Sequence, residues 1–189
     1  ADHNASDGAV ELDGYDDVFS IPGIEVTSLE GTHVLVYFYR IDDLKDFYAA
    51  DVTPYMGPTV MSSIELDVES IVRRARKYNS LVIFPHPYSA AFTGICNHSF
   101  SDVQLDRLLR MADGVEVINS QNLKRWNLKS ALLGFNLNRA ITGGSDGVTE
   151  RFPFFVAEEC PIENQCVVDG CGCGGEGDNG RYPHKQDKQ

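Results

Sequence analysis

The sequence predicts an α/β fold, helices alternating with the strands of one sheet, and three observations support it. Two segments carry helical apolar spacing behind a capping residue, short aliphatic runs follow them, and the connections between are brief. Alternation of this kind with short links implies right-handed crossovers, and hence a parallel sheet or a barrel. Chemistry in such folds gathers beyond the carboxyl ends of the strands.

The first third of the chain is the least regular. Residues 18–21 read as a strand, Pro22-Gly23 turns the chain, and residues 24–27 continue extended. Residues 32–39 form a strong strand pattern, followed by a short helix over residues 42–50. Pro54, Gly57 and Pro58 interrupt residues 51–63, which read as a loop placed to cover a pocket. Next, Asp67 caps a helix over residues 68–78, with apolar positions 68, 71, 72 and 75 on one face and basic residues in its last turns. Residues 81–84 follow as a buried strand that ends at Pro85-His86-Pro87. Ser101 with Gln104 makes a capping box for a helix through residue 112, and residues 115–118 form the next strand. A third helix over residues 121–135 leads to a strand at 139–142 and the turn Gly143-Gly144-Ser145-Asp146. Beyond residue 150 the character changes to a Gly- and Cys-rich stretch without period, read as a disordered tail over residues 151–189.

A chain of 189 residues with 42% hydrophobic and 23% charged residues fits one soluble domain. Its formal charge of −12 excludes a generally basic nucleic-acid-binding face and a stable nucleic-acid complex, although bound cations can reverse the sign locally. No apolar run reaches the ~20 residues that span a bilayer, so no membrane association is expected. Cys96 stands alone, and Cys160, Cys166, Cys171 and Cys173 crowd the end of the chain without the paired spacing of common zinc modules. A cytoplasmic, reducing location is the expectation.

The candidate chemistry lies in side chains set at predicted strand ends. Asp2 and His3 open the chain, Glu25 follows Ile-Pro-Gly-Ile, and His33 begins an apolar strand. His86 sits between two prolines that stiffen its backbone, Glu116 alternates with Val115 and Val117, and Asp146 lies in a glycine-flanked turn. Converging imidazoles and carboxylates hold divalent metals that activate water. Each residue also has a plainer account. Glu25 and Glu116 suit the solvent side of an amphipathic strand, His33 and His86 suit hydrogen-bonded caps, and Asp146 suits an Asx-turn.

Together and in this order, Asp-His-Asn, Ile-Pro-Gly-Ile-Glu, the His33 strand, Phe-Pro-His-Pro, Asp-Gly-Val-Glu-Val-Ile-Asn and Gly-Ser-Asp resemble the polymerase-and-histidinol-phosphatase (PHP) domain family. The resemblance runs from residue 1 to about 147, and residues 1–150 are read as the domain. It implies a distorted (β/α)7 TIM-like barrel with two or three divalent metals, zinc, manganese or iron, at its mouth. It implies hydrolysis of a small phosphomonoester or nucleotide by metal-activated water. Glu25 would bridge two metals, with His33 and His86 completing one. Asp146 would bind the neighbouring metal and His3 a third, while Asp2 would orient that site or assist proton transfer. Glu116 is read as supporting the site rather than binding metal. Two departures accompany the likeness. The family's first strand, carrying His-x-His, has no counterpart here, so sequence upstream of Ala1 is expected. Val148 also stands where the family commonly has a histidine, and from there on the likeness stops. A PHP module that binds a phosphorylated ligand without turnover is the alternative reading.

Overall fold

The computed structural model describes residues 1–89, 91–97 and 100–146, together with the backbone of Cys166–Val168. Its strands are β1 (Asp2–His3), β2 (Gly23–Thr27), β3 (His33–Phe38), β4 (Ser80–Phe84), β5 (Gly114–Asn119) and β6 (Ala140–Gly144). The helices are α1 (Asp7–Asp13), α2 (Ile41–Phe47), α3 (Val68–Ala75), α4 (Asp102–Met111) and α5 (Lys124–Leu137). The strands lie in chain order in one mixed sheet. β1 runs parallel to β2, β2 and β3 form an antiparallel hairpin, and β3 is antiparallel to β4. β4, β5 and β6 are mutually parallel, and a short β7 (Cys166–Val168) continues the sheet beyond β6. No pairing among the described residues joins β1 to the far edge, so the sheet is open.

Alternation along the strands divides the sheet into two faces. Ile24, Val26, Val34, Val36, Phe38, Val82 and Phe84 point into the main core, which α2, α3 and α4 cover. On the opposite face Leu35, Tyr37 and Ile83 form a smaller cluster beside Glu25. β2 is buried at every residue, because both of its faces are covered.

Local chemistry explains the helices that frame the sheet. Asp67 Oδ1 accepts the Ser70 N–H at 2.6 Å to start α3, and Val68, Ile71, Val72 and Ala75 are buried along its predicted face. The Ser101/Gln104 capping box starts α4. α5 ends on Asn138 in the left-handed region at φ 50°, and its Gly134 lies so close to Val117 and Ile141 that a side chain there would clash. The outer side of α5 keeps Leu128, Leu132 and Phe135 exposed, an apolar stripe at helical spacing.

One buried charge ties the first third together. After α2 the chain makes a wide π-type turn at Tyr48–Val52 that carries Asp51 inward. Its carboxylate accepts from Arg74 at 2.7 Å, Tyr78 Oη at 2.7 Å and Lys77 at 3.3 Å. Arg74 in turn donates to Tyr55 Oη at 2.8 Å. Burial acts to raise the Asp51 pKa, but the bonds from Tyr78, Arg74 and Lys77 outweigh it and hold the carboxyl below its ordinary value.

Several expectations are corrected. Residues 18–21 are not a strand; Phe19 and Ile21 are exposed, and pairing starts only at Gly23, after Pro22. The acidic segment Asp7–Asp13 is a helix that went unread, because its periodicity is masked by carboxylates and glycine. The sheet is mixed rather than all-parallel: β1–β2 and the strands from β4 onward pair in parallel, whereas the five-residue link between β2 and β3 permits only a hairpin and β3–β4 is antiparallel. The disordered tail expected at residues 151–189 lies outside the described residues, apart from the β7 backbone. No helix among the described residues is long and apolar enough to cross a membrane.

Candidate metal centre

His3 and Glu25 are register partners on parallel strands, so their side chains emerge side by side on the inner face of the sheet. The hairpin returns His33 opposite Thr27, two residues from Glu25 along β2 and on the same face. Its tight turn uses Gly31 at φ 84°, with the Ser28 hydroxyl accepting from the Thr32 N–H at 3.1 Å. His86 arrives from the end of β4, which runs in the same direction as β2.

The four side chains meet at the Glu25 carboxylate, which is only 8% exposed. His33 Nδ1 lies 3.0 Å from Oε1, and His86 Nε2 lies 3.4 Å from the same oxygen. His3 Nδ1 lies 3.4 Å from Oε2. The His33 ring is 4.7 Å from that of His3 and 5.3 Å from that of His86, both edge-on. Ligand atoms of His3, Glu25 and His33 all fall within 4.8 Å of one another. His86 stands outside that trio and shares the Oε1 side with His33.

The geometry is compatible with metal ligation. Ligand atoms about 2.1 Å from one tetrahedral cation sit about 3.4 Å apart, and the three imidazole nitrogens lie 3.0 Å, 3.4 Å and 3.4 Å from the Glu25 oxygens. His3 Nδ1 and His33 Nδ1 are buried and lack an aligned hydrogen bond despite their nearness to Glu25, and His86 Nδ1 is buried without a partner as well. The His3 and His33 nitrogens, which face Glu25, fit a cation in this state, whereas His86 turns its other nitrogen, Nε2, toward Glu25. Burial acts to raise the Glu25 pKa, but His33, His86 and His3 press it far below its ordinary value, so the carboxylate is charged. Burial acts to lower the His86 pKa, and the negative field of Glu25, with Glu116 and Asp146 behind it, raises it instead.

Supporting groups fix these positions. Glu116 is buried, and its Oε2 accepts the His86 backbone N–H at 2.8 Å and the Asn119 amide at 2.9 Å. The same amide donates to Asp146 Oδ2 at 3.2 Å, so Asn119 links β5 to the turn after β6. The loop after His86 is tied to β3 where His33 N–H donates to Thr93 O at 3.0 Å, and Gly94 lies against the backbone of His86 and Pro87. Asn4, fully buried, accepts from the Thr27 N–H at 2.9 Å and donates to Val60 O and Ser62 O, fastening the 57–63 loop beside His3. His86, Asp146, Asn4 and Phe92 all have positive φ, and strained backbone of this kind gathers at functional sites.

The structure therefore brings His3, Glu25, His33 and His86 together. Asp146 stands behind them through Asn119. Asp2 does not join: it points away from His3 along β1, its carboxylate against Gly8 of α1. The supporting roles of Asn4 and Asn119 were not read from the sequence. Asn119 closes β5, and nothing local in the sequence shows that its amide bridges two carboxylates. The outward-facing account of Glu25 and Glu116 is corrected by the inner face on which both lie. Cys96 is half-buried, and burial pushes its thiol up to about 11, against a hydrogen bond from Tyr88. Val148 and His98 lie outside the described residues.

No family model matches the chain, and no curated protein matches it. Among solved structures it is similar to a Bifidobacterium adolescentis protein provisionally named a metal-dependent phosphoesterase. The two share 15% identity at a TM-score of 0.55, over 83% of this chain and 79% of that one. It is also similar to PsfC from Pseudomonas syringae PB-5123, at 21% identity and a TM-score of 0.49, over 70% of this chain and 46% of that one. At such identities the first likeness bears on the fold alone, and the second carries no argument.

Proposed function

We propose that the chain is a metal-dependent phosphoesterase of the PHP type, hydrolysing a small phosphomonoester or nucleotide. The supporting observation is the Glu25 carboxylate with three imidazole nitrogens at ligand spacing, on the inner face of an α/β sheet. His33 and His86 with Glu25 Oε1 would hold one divalent cation, and His3 with Oε2 a second, Glu25 bridging them. Asp146 would complete the second, and zinc, manganese and iron all suit this mixture of nitrogen and oxygen donors. Such cations, when bound, activate water and neutralise charge on phosphoryl oxygens. Glu116 keeps the His86 backbone in place, and Asn119 orients Asp146. Asp2, displaced from the group, is assigned no chemical step. Closure of the sheet into a barrel belongs to the same reading.

The competing reading, a PHP module that binds a phosphorylated ligand without turnover, draws on Val148 in place of a ligand histidine. Metal analysis of the native protein against Glu25→Gln and His33→Ala, followed by p-nitrophenyl phosphate hydrolysis, separates the two. Native protein retaining a divalent ion that both variants lose, with metal-dependent hydrolysis, supports the enzyme. Retention without hydrolysis supports the binding module. Equal metal content in all three proteins would refute the centre itself.

A further inference from the structure

A second cluster lies beside the candidate centre, in the loop after His86 and on the first turns of α5. The rings of Tyr88 and Trp126 are nearly parallel, at 12°, with centroids 6.4 Å apart. Lys129 Nζ sits 5.5 Å from the Tyr88 centroid and 5.0 Å from that of Trp126, and the Arg125 guanidinium lies 5.3 Å from the Trp126 ring. Asn122 fastens the two elements by donating to Tyr88 O at 3.0 Å. The cations are thus held by aromatic faces and aligned before any ligand arrives.

Their electrostatic setting differs from that of the cations around α3 and α4. The formal charge is −12, and Arg73 and Arg74 of α3, Arg76 at its C-cap and Arg107 of α4 each lie against a carboxylate. Arg125 and Lys129 have no ion pair among the described residues, and no carboxylate occurs anywhere in Lys124–Leu137. Lys124 and Arg125 also occupy the turn where the helix dipole disfavours positive charge. The placement works against helix stability, which points to a role outside the helix. The Trp126 indole nitrogen is buried without an acceptor among the described residues, where a partner is normally found.

The cluster is close enough to share a ligand with the centre. Tyr88 follows His86 by two residues, which at full extension is about 7 Å. Asn119, which contacts Glu116 and Asp146, exchanges two hydrogen bonds with Asn127 of α5, at 3.2 Å and 2.9 Å. The first turns of α5 are therefore anchored to the end of the sheet that carries the histidines.

We propose that Arg125 and Lys129, set on the Tyr88–Trp126 pair, bind a second anionic group of the substrate, remote from the phosphoryl group at the Glu25 centre. This rests on the proposed phosphoesterase reading and narrows it to esters that carry a second anionic group. Charge-assisted contacts from two such cations favour the doubly charged ligand by about tenfold or more.

The test compares fructose 1,6-bisphosphate with fructose 6-phosphate, which differ only in the second phosphate. Trp126 is the sole tryptophan of the chain, so its fluorescence reports binding at the cluster whether or not turnover occurs. The native full chain is expected to bind the bisphosphate about tenfold more tightly, with a change in Trp126 emission, and the double variant R125A/K129A to lose most of that preference. Where hydrolysis is measurable, the kcat/KM ratio of the two sugars should fall in parallel. Lys45→Ala, a cation on α2, should leave both ratios unchanged. Equal affinity for the two sugars, an unchanged preference in R125A/K129A, or an equal fall in the Lys45 variant overturns the proposal. Absent hydrolysis with an intact fluorescence preference counts against the enzyme reading and not against the anion site.

Discussion

Glu25 shows how far a single position can be read from its neighbours. Alternation with Ile24 and Val26 places its side chain opposite theirs, and that geometry holds. Sequence gave no means of telling whether the opposite side was water or a second interior. The answer depends on Leu35, Tyr37 and Ile83, which come from other strands. Glu116 has the same ambiguity and the same resolution. Replacing Glu116 by alanine leaves the buried His86 N–H without its acceptor and the Asn119 amide with Asp146 alone, at about 1–3 kcal/mol of stability. Glu116→Gln retains an acceptor oxygen and should lose clearly less. Urea unfolding, with zinc affinity measured by chelator competition, checks both, and equal losses in the two variants would count against the bonding role.

Among the elements, the helices were the most legible, because their information is local. Asp67 and Ser101 announce the starts of α3 and α4 through their own side chains, and both caps form as read. Strand direction was legible where a single helix joins two strands, from β4 to β6. The β2–β3 and β3–β4 pairs depend on the turn at residues 28–32 and on how two helices and the loop between them carry the chain through 41–79, which local periodicity does not encode. The loop after β4 carries a sharper constraint. A Cβ on Gly94 would come within 2.4 Å of His86 O and 2.5 Å of Pro87 O. Gly94→Ala should therefore push the His86 segment outward, costing about 1–3 kcal/mol and weakening metal retention more than substitution at exposed Gly14, the residue that ends α1. Metal content after dialysis, compared between the two variants, tests the point.

For the whole molecule, the Asp51 junction joins the turn after α2 to α3 and to the approach to β4, and nothing in the sequence near Asp51 marks it. Removing its charge by Asp51→Asn leaves Arg74 and Lys77 partly solvated, so the loss should fall near the lower end of the range for a broken buried pair, about 3 kcal/mol. The junction also sets a pH window. The Asp51 carboxyl is held below its ordinary value of 3.8, so its contribution is present above that value and lost as acid titrates the folded form. Burial first, then the Asp51 hydrogen bond, pushes the Tyr78 hydroxyl up to about 12 from 10.0. That contribution is complete below pH 10 and disappears as pH rises toward 12. Denaturant midpoints across pH should fall at both ends, and Asp51→Asn should flatten both falls.

The bare flank of α5 bears on how copies of the molecule behave toward one another. Leu128, Leu132 and Phe135 attract only at contact, whereas mutual repulsion between strongly acidic copies reaches across about 10 Å at 0.1 M ionic strength. Concentrated sodium chloride shortens that reach and leaves the contact attraction in force. Sedimentation should accordingly show single copies in dilute buffer and reversible self-association as electrolyte is added, a trend that Leu132→Glu abolishes.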